Sequence, residues 1–182
     1  MAYYYSPFRK EYKKSLSDSG DQICPFCHPD YQNQVVQNEE GKAIEDDHYL
    51  WIISLFPRFE GHTMIVPKRH LKSLDQERPE EILSRQKLIL FAIRQLQKVY
   101  PECGFEIYLQ CGKGSLQTVE HLHWHIVPAQ KDDPLRGFEK MGHFNTSEEG
   151  KEKVLIFPIP IKLARAELLE ALKKAIGKEI LV

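Results

Sequence analysis

Gln117-Thr118-Val119-Glu120-His121-Leu122-His123-Trp124-His125-Ile126-Val127-Pro128 alternates imidazole with apolar side chains from His121 to Ile126. In an extended chain successive side chains point to opposite faces, so His121, His123 and His125 share one face and Leu122, Trp124 and Ile126 the other. One histidine on a half-buried strand is ordinary, but three in alternation are not produced by packing needs alone. Two chemistries suit such a face: three ligands to one metal ion, or a nucleophilic and phosphate-binding cluster. The segment therefore reads as a strand over 121–127 with its apolar side on a core.

The flanking sequence supplies more of a sheet. Residues 49–54 and 62–67 are rich in β-branched and aromatic side chains and are separated by Phe56-Pro57-Arg58-Phe59-Glu60-Gly61, which predicts an antiparallel pair. Another strand is expected over 105–110, joined to the histidine strand by the turn-rich Cys111-Gly112-Lys113-Gly114-Ser115. Val35-Val36 and the turn signal Glu39-Glu40-Gly41-Lys42 suggest a hairpin of two short strands. Between the strand groups, Ile82, Ile89, Ile93, Leu96 and Tyr100 recur at helical spacing, with Pro79 at the start and Pro101 at the stop. A second helix is expected over 165–176, ended by Gly177. Pro158 and Pro160 limit 154–161 to an edge strand. Strands in two groups around one long helix predict an α+β domain with an antiparallel sheet.

Composition narrows the function classes. The 182 residues carry 25 Lys+Arg against 26 Asp+Glu, a formal charge of −1, which argues against a nucleic-acid coat or a polybasic membrane anchor. The longest uncharged apolar run, near residues 49–56, is far short of the roughly 20 residues that a spanning helix needs. The N-terminus is aromatic where a signal peptide would be basic and then aliphatic, so a cytoplasmic location is expected. Residues 1–22 are polar and aperiodic and are expected to form a mobile arm. The segment 23–130, which carries the histidine strand, is expected to form the main domain. A charged loop, the edge strand and the C-terminal helix (131–182) are expected to pack on it.

Four cysteines are too few for a disulfide scaffold, and Cys24-Pro25-Phe26-Cys27 offers two thiolates to a metal. Zinc normally takes four N/S ligands. The other two would come from among His28, His48, His62, His70, His121, His123, His125 and His143, and spacing alone does not choose.

His121-Leu122-His123-Trp124-His125-Ile126-Val127 resembles the HφHφHφφ signature of the histidine triad (HIT) superfamily of nucleotide hydrolases and transferases, φ being apolar. Gly61-His62-Thr63-Met64-Ile65-Val66-Pro67-Lys68-Arg69-His70 resembles its Gly-His strand ending in Pro-Lys-x-His. The likeness runs from about Cys24 to Pro128 and is nearest to the fragile histidine triad and bacterial branches. It implies a five-stranded antiparallel meander with one long helix, here extended by a C-terminal strand and helix, and a homodimer whose sheets join.

The resemblance also implies roles. His123 is the expected nucleophile at the α-phosphorus of a nucleotide substrate, and His125 and His62 contact the phosphate oxygens. Gln110 and Gln117 match a Gln…Gln-Thr-Val pattern, with Gln110 on the phosphate chain and Thr118 near the leaving group. Cys24, Cys27, His70 and His121 match the zinc ligands of bacterial members, about one structural zinc per chain. Ser54 stands where relatives carry the Asp or Asn that binds the ribose hydroxyls, and Leu116 where many carry Gly. The implied reaction is hydrolysis of a dinucleoside polyphosphate or nucleoside phosphoramidate through a nucleotidyl-histidine intermediate. A nucleotidyltransferase or phosphorylase, and a nucleotide-binding module with negligible turnover, are the alternatives. Neither nucleic acid nor a membrane is expected as a partner.

Overall fold

The computed structural model describes residues 2–3, 24–29, 34–57, 59–115, 117, 119–133, 137, 160–161 and 163–180. In chain order the elements are β1 (Ala2–Tyr3), β2 (Tyr49–Ile53), β3 (Thr63–Pro67), α1 (Pro79–Val99), β4 (Gly104–Leu109), β5 (Trp124–Ala129), β6 (Pro160–Ile161) and α2 (Arg165–Ile176). The main sheet has the order β2-β3-β5-β4, antiparallel throughout, and β1 pairs with β6 in a separate two-stranded ribbon. The fold is thus the α+β arrangement expected, an antiparallel sheet with one long helix.

Among the described residues the fifth strand of the expected meander is present only as isolated bridges, Val35↔Ile52 and Glu45↔Leu50 on the outer side of β2 and Gln37↔Ala43 within the hairpin itself. The reason is the turn between them. The Asn38 side-chain oxygen accepts hydrogen bonds from the amides of Glu40 (3.0 Å) and Lys42 (2.9 Å), and Gly41 adopts φ +77°. Side-chain capture of the amides competes with a regular ladder. The hairpin therefore exists, but as bridges around an Asn-pinned turn.

Both faces of the sheet are covered, which is why β2 and β3 are buried at every position. On one face Tyr49, Trp51, Ile53, Ile65, Trp124 and Ile126 pack with Leu88, Ala92 and Leu96 of α1, and Leu168, Leu172 and Ile176 of α2 join the same cluster. On the other face Leu50, Ile52, Met64 and Val66 pack with Phe26 and Val35. This second, smaller cluster lies beside the histidines and forms an apolar floor.

The buried stripe of α1 contains Ile89 and Leu96, continues to Tyr100 just past its end and has Ile93 packed against it, as the spacing predicts, but it does not contain Ile82. Ile82 is 44% exposed, and Leu83 and Leu90 are more so, while Glu81, Ser84 and Gln95 are buried. Ser84 and Glu81 are buried because each has an assigned partner, and Gln95 donates to Glu179 (2.9 Å) although its Oε1 has no partner among the described residues. The Ser84 hydroxyl donates to Asp46, whose other oxygen accepts from the amides of His48 and Tyr49 at the entrance to β2. Glu81 receives the Arg69 guanidinium in a bidentate pair at 2.9 and 2.7 Å, and also the Arg78 amide at 2.7 Å. Periodicity counts apolar side chains and does not see such satisfied polar ones.

The Arg69 hydrogen bonds, aided by the Arg78 amide, hold the Glu81 carboxyl down to about 2 from its ordinary 4.5. A carboxyl lowered in the folded state adds stability above its unfolded pKa, and that stability disappears as pH falls through the folded value. Unfolding free energy is therefore expected to decline between about pH 4.5 and pH 2. Glu81→Gln should start lower at neutral pH and show a flatter profile across that window, as read by urea unfolding at a series of pH values. A variant as acid-sensitive as the wild type would remove Glu81 from the explanation.

Gly61 fixes the turn that delivers His62. Its φ is +68°, and a Cβ there would meet Pro128 Cγ at 2.7 Å and Tyr100 Cε2 at 2.8 Å, so only glycine fits between the β2–β3 turn and β5. Next to it, buried Glu60 accepts from the Tyr100 hydroxyl (2.7 Å) and from the Leu163 amide (3.2 Å), tying the approach to α2 to the same turn. Among the described residues no helix is long and apolar enough to cross a membrane.

Candidate active site

The histidines gather where the central strands β3 and β5 meet the N-terminal 3₁₀ turn Pro25–Cys27. Register places His125 of β5 opposite Met64 of β3 and Tyr108 of β4, so these three side chains share the face that carries the apolar floor. The hydrogen-bonded strand begins at Trp124, later than the expected 121. His121 and His123 lie on the approach, held by Leu122 N–H donating to Leu71 O (2.7 Å) and His121 N–H to Val119 O (2.8 Å). The alternation nevertheless continues past the strand end. Leu122, Trp124 and Ile126 enter the helix-side core, and the three histidines, all buried, lie on the other side.

The three imidazoles separate into two groups. His121 Nε2 lies 2.9 Å from Pro67 O, which makes Nε2 the protonated nitrogen and turns the Nδ1 lone pair toward the thiols. Nδ1 is 3.3 Å from Cys24 Sγ and 3.6 Å from Cys27 Sγ, and Cys27 Sγ is 3.4 Å from His70 Nδ1. All four donor atoms fall within 4.8 Å of one another. A tetrahedral ion with metal–sulfur near 2.3 Å and metal–nitrogen near 2.0–2.1 Å implies donor separations of about 3.3–3.8 Å. The three separations measured fall in that range, so the donor set fits a closed four-coordinate metal site. His70, not His28, completes it.

Electrostatics agree with that fit. Burial holds the His121 imidazolium down, to about 4, so the ring is neutral, the form that ligates. Burial and the adjacent Cys24 thiol push Cys27 up to about 11. A cation held at the site would favour the thiolate form of Cys27.

The second group is His123, His125 and His62. His123 Nδ1 lies 2.8 Å from the His121 carbonyl oxygen and donates to it, which sets the tautomer with the lone pair on Nε2. His62 Nε2 and His125 Nδ1 are 2.8 Å apart, one ring donating and the other accepting. The His123 and His125 rings stand edge to face at 4.8 Å. Phe26 touches both groups, with its ring centroid 5.6 Å from His121 and 4.8 Å from His123.

The remaining expected contacts are placed unequally. Ser54, at the end of β2, is buried and its Oγ accepts from the Phe56 amide (3.3 Å). Gln110 donates to Ser115 O (3.0 Å), while the Gln117 side-chain oxygen accepts from Gly112 N (3.1 Å), so both brace the 111–117 turn. Gln117 Nε2 is buried without an acceptor among the described residues. Thr118 and Leu116 lie outside the described residues. Sequence reasoning missed Phe26 and the His62–His125 pair. The first was open to inference, because an apolar residue between two cysteines three apart must lie within one turn of both thiols.

Residues 35–132 match the HIT domain. An uncharacterized HIT-like protein of Borreliella burgdorferi is 34% identical over 132 residues, 69% of this chain and 88% of that protein. The adenosine 5′-monophosphoramidase of Saccharomyces cerevisiae is 26% identical over 129 residues, 70% of this chain and 75% of that protein. Among solved structures, a Zn-bound histidine triad family protein from Mycobacterium smegmatis superposes with TM-score 0.54 at 23% identity, covering 85% of this chain and 94% of that one. With this match over more than half its length, and with the sheet, helix and histidine alternation described above, the chain belongs to the HIT domain family.

Proposed function

We propose that the protein hydrolyses nucleoside 5′-phosphate derivatives at the α-phosphorus, the substrate being a nucleoside phosphoramidate or a dinucleoside polyphosphate. The observation that carries this reading is the bond from His123 Nδ1 to the His121 carbonyl, which directs the Nε2 lone pair away from the backbone. Neutral imidazole is a good nucleophile near pH 7. His123 Nε2 bonds to phosphorus, and the P–N or P–O bond to the leaving group breaks with its electron pair on the leaving group, which takes up a proton. Water then bonds to phosphorus and releases a proton to solvent, which balances the one taken up by the leaving group, the electron pair of the Nε2–P bond returns to the ring, and the nucleoside monophosphate departs. His125 and His62 contact the phosphate oxygens, where N–H donors stabilise the transferring group. Gln117 Nε2, buried without an acceptor among the described residues, is a further donor available to the substrate. The family relationship to a named phosphoramidase supports the choice of substrate class.

Cys24, Cys27, His70 and His121 hold one zinc ion as a closed structural site that crosslinks the 3₁₀ turn to the histidine strand. The Zn-bound relative supports this identity. β4 ends the sheet order and exposes Ile107, the edge through which a homodimer joins two sheets. The working division is an arm at 1–22, the catalytic domain at 23–130 and a C-terminal extension at 131–182, in a cytoplasmic protein. The test is incubation of the metal-loaded protein with a panel of adenylated and guanylated phosphoramidates and dinucleoside polyphosphates, with products identified. Release of the nucleoside monophosphate supports the reading. No turnover of any member, with nucleotide bound, would assign a binding module instead.

Ser54 makes the ribose site permissive. Its hydroxyl already accepts from Phe56 N, and a neutral hydrogen bond adds only about 0.5–1.5 kcal/mol net, so wild-type kcat/KM should favour ribo over 2′-deoxy substrates by only about 2–10-fold. In Ser54→Asp the ratio should grow, because a carboxylate accepts from both hydroxyls with charge-assisted bonds. A large wild-type ratio that Asp leaves unchanged would mean that another residue reads the sugar.

A further inference from the structure

We propose that Phe26 is a positioning residue for His123, and that through it the Cys₂His₂ cluster sets the orientation of the nucleophilic ring. The inference rests on the assignment of His123 as nucleophile and adds a mechanical link that this assignment does not require. The hydrogen bond from Nδ1 to His121 O ties the His123 ring to the backbone and fixes its tautomer, and a bond along the ring plane does not by itself set the tilt of that plane. The plane is set by what packs on it. His125 stands edge-on at 4.8 Å with an interplanar angle of 79°, and Phe26 lies at 4.8 Å with an angle of 50°.

Phe26 is itself held by very little backbone. It occupies a single 3₁₀ turn, closed by Cys27 N–H to Cys24 O (3.0 Å) and His28 N–H to Pro25 O (3.1 Å). Its two flanking side chains are the thiols of the cluster, each within 3.6 Å of His121 Nδ1. Phe26 packs on Val35, Leu50, Ile52, Met64 and Val66, which seats the ring on the sheet. Because thiols and imidazoles make only weak hydrogen bonds to one another, an ion shared by the four donors would add the restraint that fixes the turn and holds the ring against His121 and His123. Nucleophilic attack is sensitive to geometry, and a displacement of about 1 Å can cost on the order of 100-fold in rate. Occupancy of the cluster therefore controls catalytic competence although the metal takes no part in the chemistry.

The experiment compares wild type, Phe26→Ala and Phe26→Tyr, each loaded with zinc, with wild type freed of metal by chelator. Each protein is checked for metal content and far-ultraviolet circular dichroism. Two readouts are taken at one fixed pH: kcat and KM on the best substrate of the panel, and the side-chain nitrogen shifts of His123 from long-range proton–nitrogen correlation spectra. Zinc-loaded Phe26→Ala should keep its metal and its fold, lose about 10–100-fold in kcat with KM changed less than about threefold, and exchange the single Nε2-lone-pair tautomer for an averaged mixture. Phe26→Tyr, which restores the ring contact, should recover the wild-type pattern. Folded metal-free wild type should match zinc-loaded Phe26→Ala, and chelation of Phe26→Ala should add little more, because the two changes break one link. If the metal-free protein unfolds, the zinc-loaded variants decide alone. The proposal is overturned if Phe26→Ala keeps the wild-type tautomer and kcat, or changes KM alone, which would make Phe26 a wall of the binding pocket. If wild type turns over no substrate, the hydrolase reading fails, and the His123 spectra still decide whether Phe26 positions the ring.

Discussion

His123→Ala is expected to lower turnover by more than about 10⁴-fold while leaving nucleotide affinity within a few-fold of wild type. On the proposed mechanism the substitution removes the atom that forms the covalent intermediate, and the neighbouring imidazoles are committed elsewhere through their Nδ1 atoms. His125 Nδ1 is engaged with His62 at 2.8 Å, and the His121 Nδ1 lone pair faces the thiols. The fold should tolerate the change, because the His123 side chain lies off the helix-side core and packs against the Phe26 and His125 rings. Rapid-quench kinetics with a substrate labelled at the α-phosphorus should show acid-labile label on the wild-type protein and none on the variant. Label retained in His123→Ala, or mapped to His125, would move the nucleophile to another ring.

Cys24→Ala is expected to reduce bound zinc from about one per chain to near zero and to lower Tm substantially. Structural zinc contributes about 10–16 kcal/mol to small peptides that have no other core. This domain has a core of its own, built on β2, β3, β5 and the two helices, so most of its stability survives. What is lost is the crosslink from residues 24–27 to His70 and His121. An effect of about 3 kcal/mol corresponds to a fall in Tm of about 6–12 °C for a domain of this size. Metal analysis together with scanning calorimetry checks both parts. A zinc-free wild type purified without chelator, or an ion held by His123 and His125, would overturn the ligand assignment.

The same cluster shows why sequence reading stopped where it did. The C-x-x-C pair was legible as a ligand pair because two cysteines three apart meet in a turn. The partners lie 43 and 97 residues from the cysteines they approach, at His70 and His121, and no local rule chooses among eight histidines over such separations. In the fold, the Pro67 carbonyl orients His121, and the Arg69–Glu81 pair fastens the segment that carries His70 to α1. Ser54, Gln110 and Gln117 were named by resemblance, but the bonds that occupy them, to Phe56, Ser115 and Gly112, depend on turns whose geometry the motif does not encode.

Local pattern alone determined the antiparallel pair 49–54 with 62–67, the helix from Pro79, the helix over 165–176 ended by Gly177 at φ +60°, and the division of the histidine strand into an imidazole side and a core side. Each follows from a short-range rule: period-two or helical repetition of apolar side chains, or a backbone conformation that one residue type adopts at little cost. Tertiary structure decided the rest. It separated His121 from His123 and His125, paired His62 with His125, placed Phe26 between the two groups, and buried Glu81, Ser84 and Gln95 where the pattern expected Ile82. Those outcomes depend on which donors meet across the sheet and on which polar groups find partners there. Long-range contact sets them, and it becomes visible only when the strands are in register.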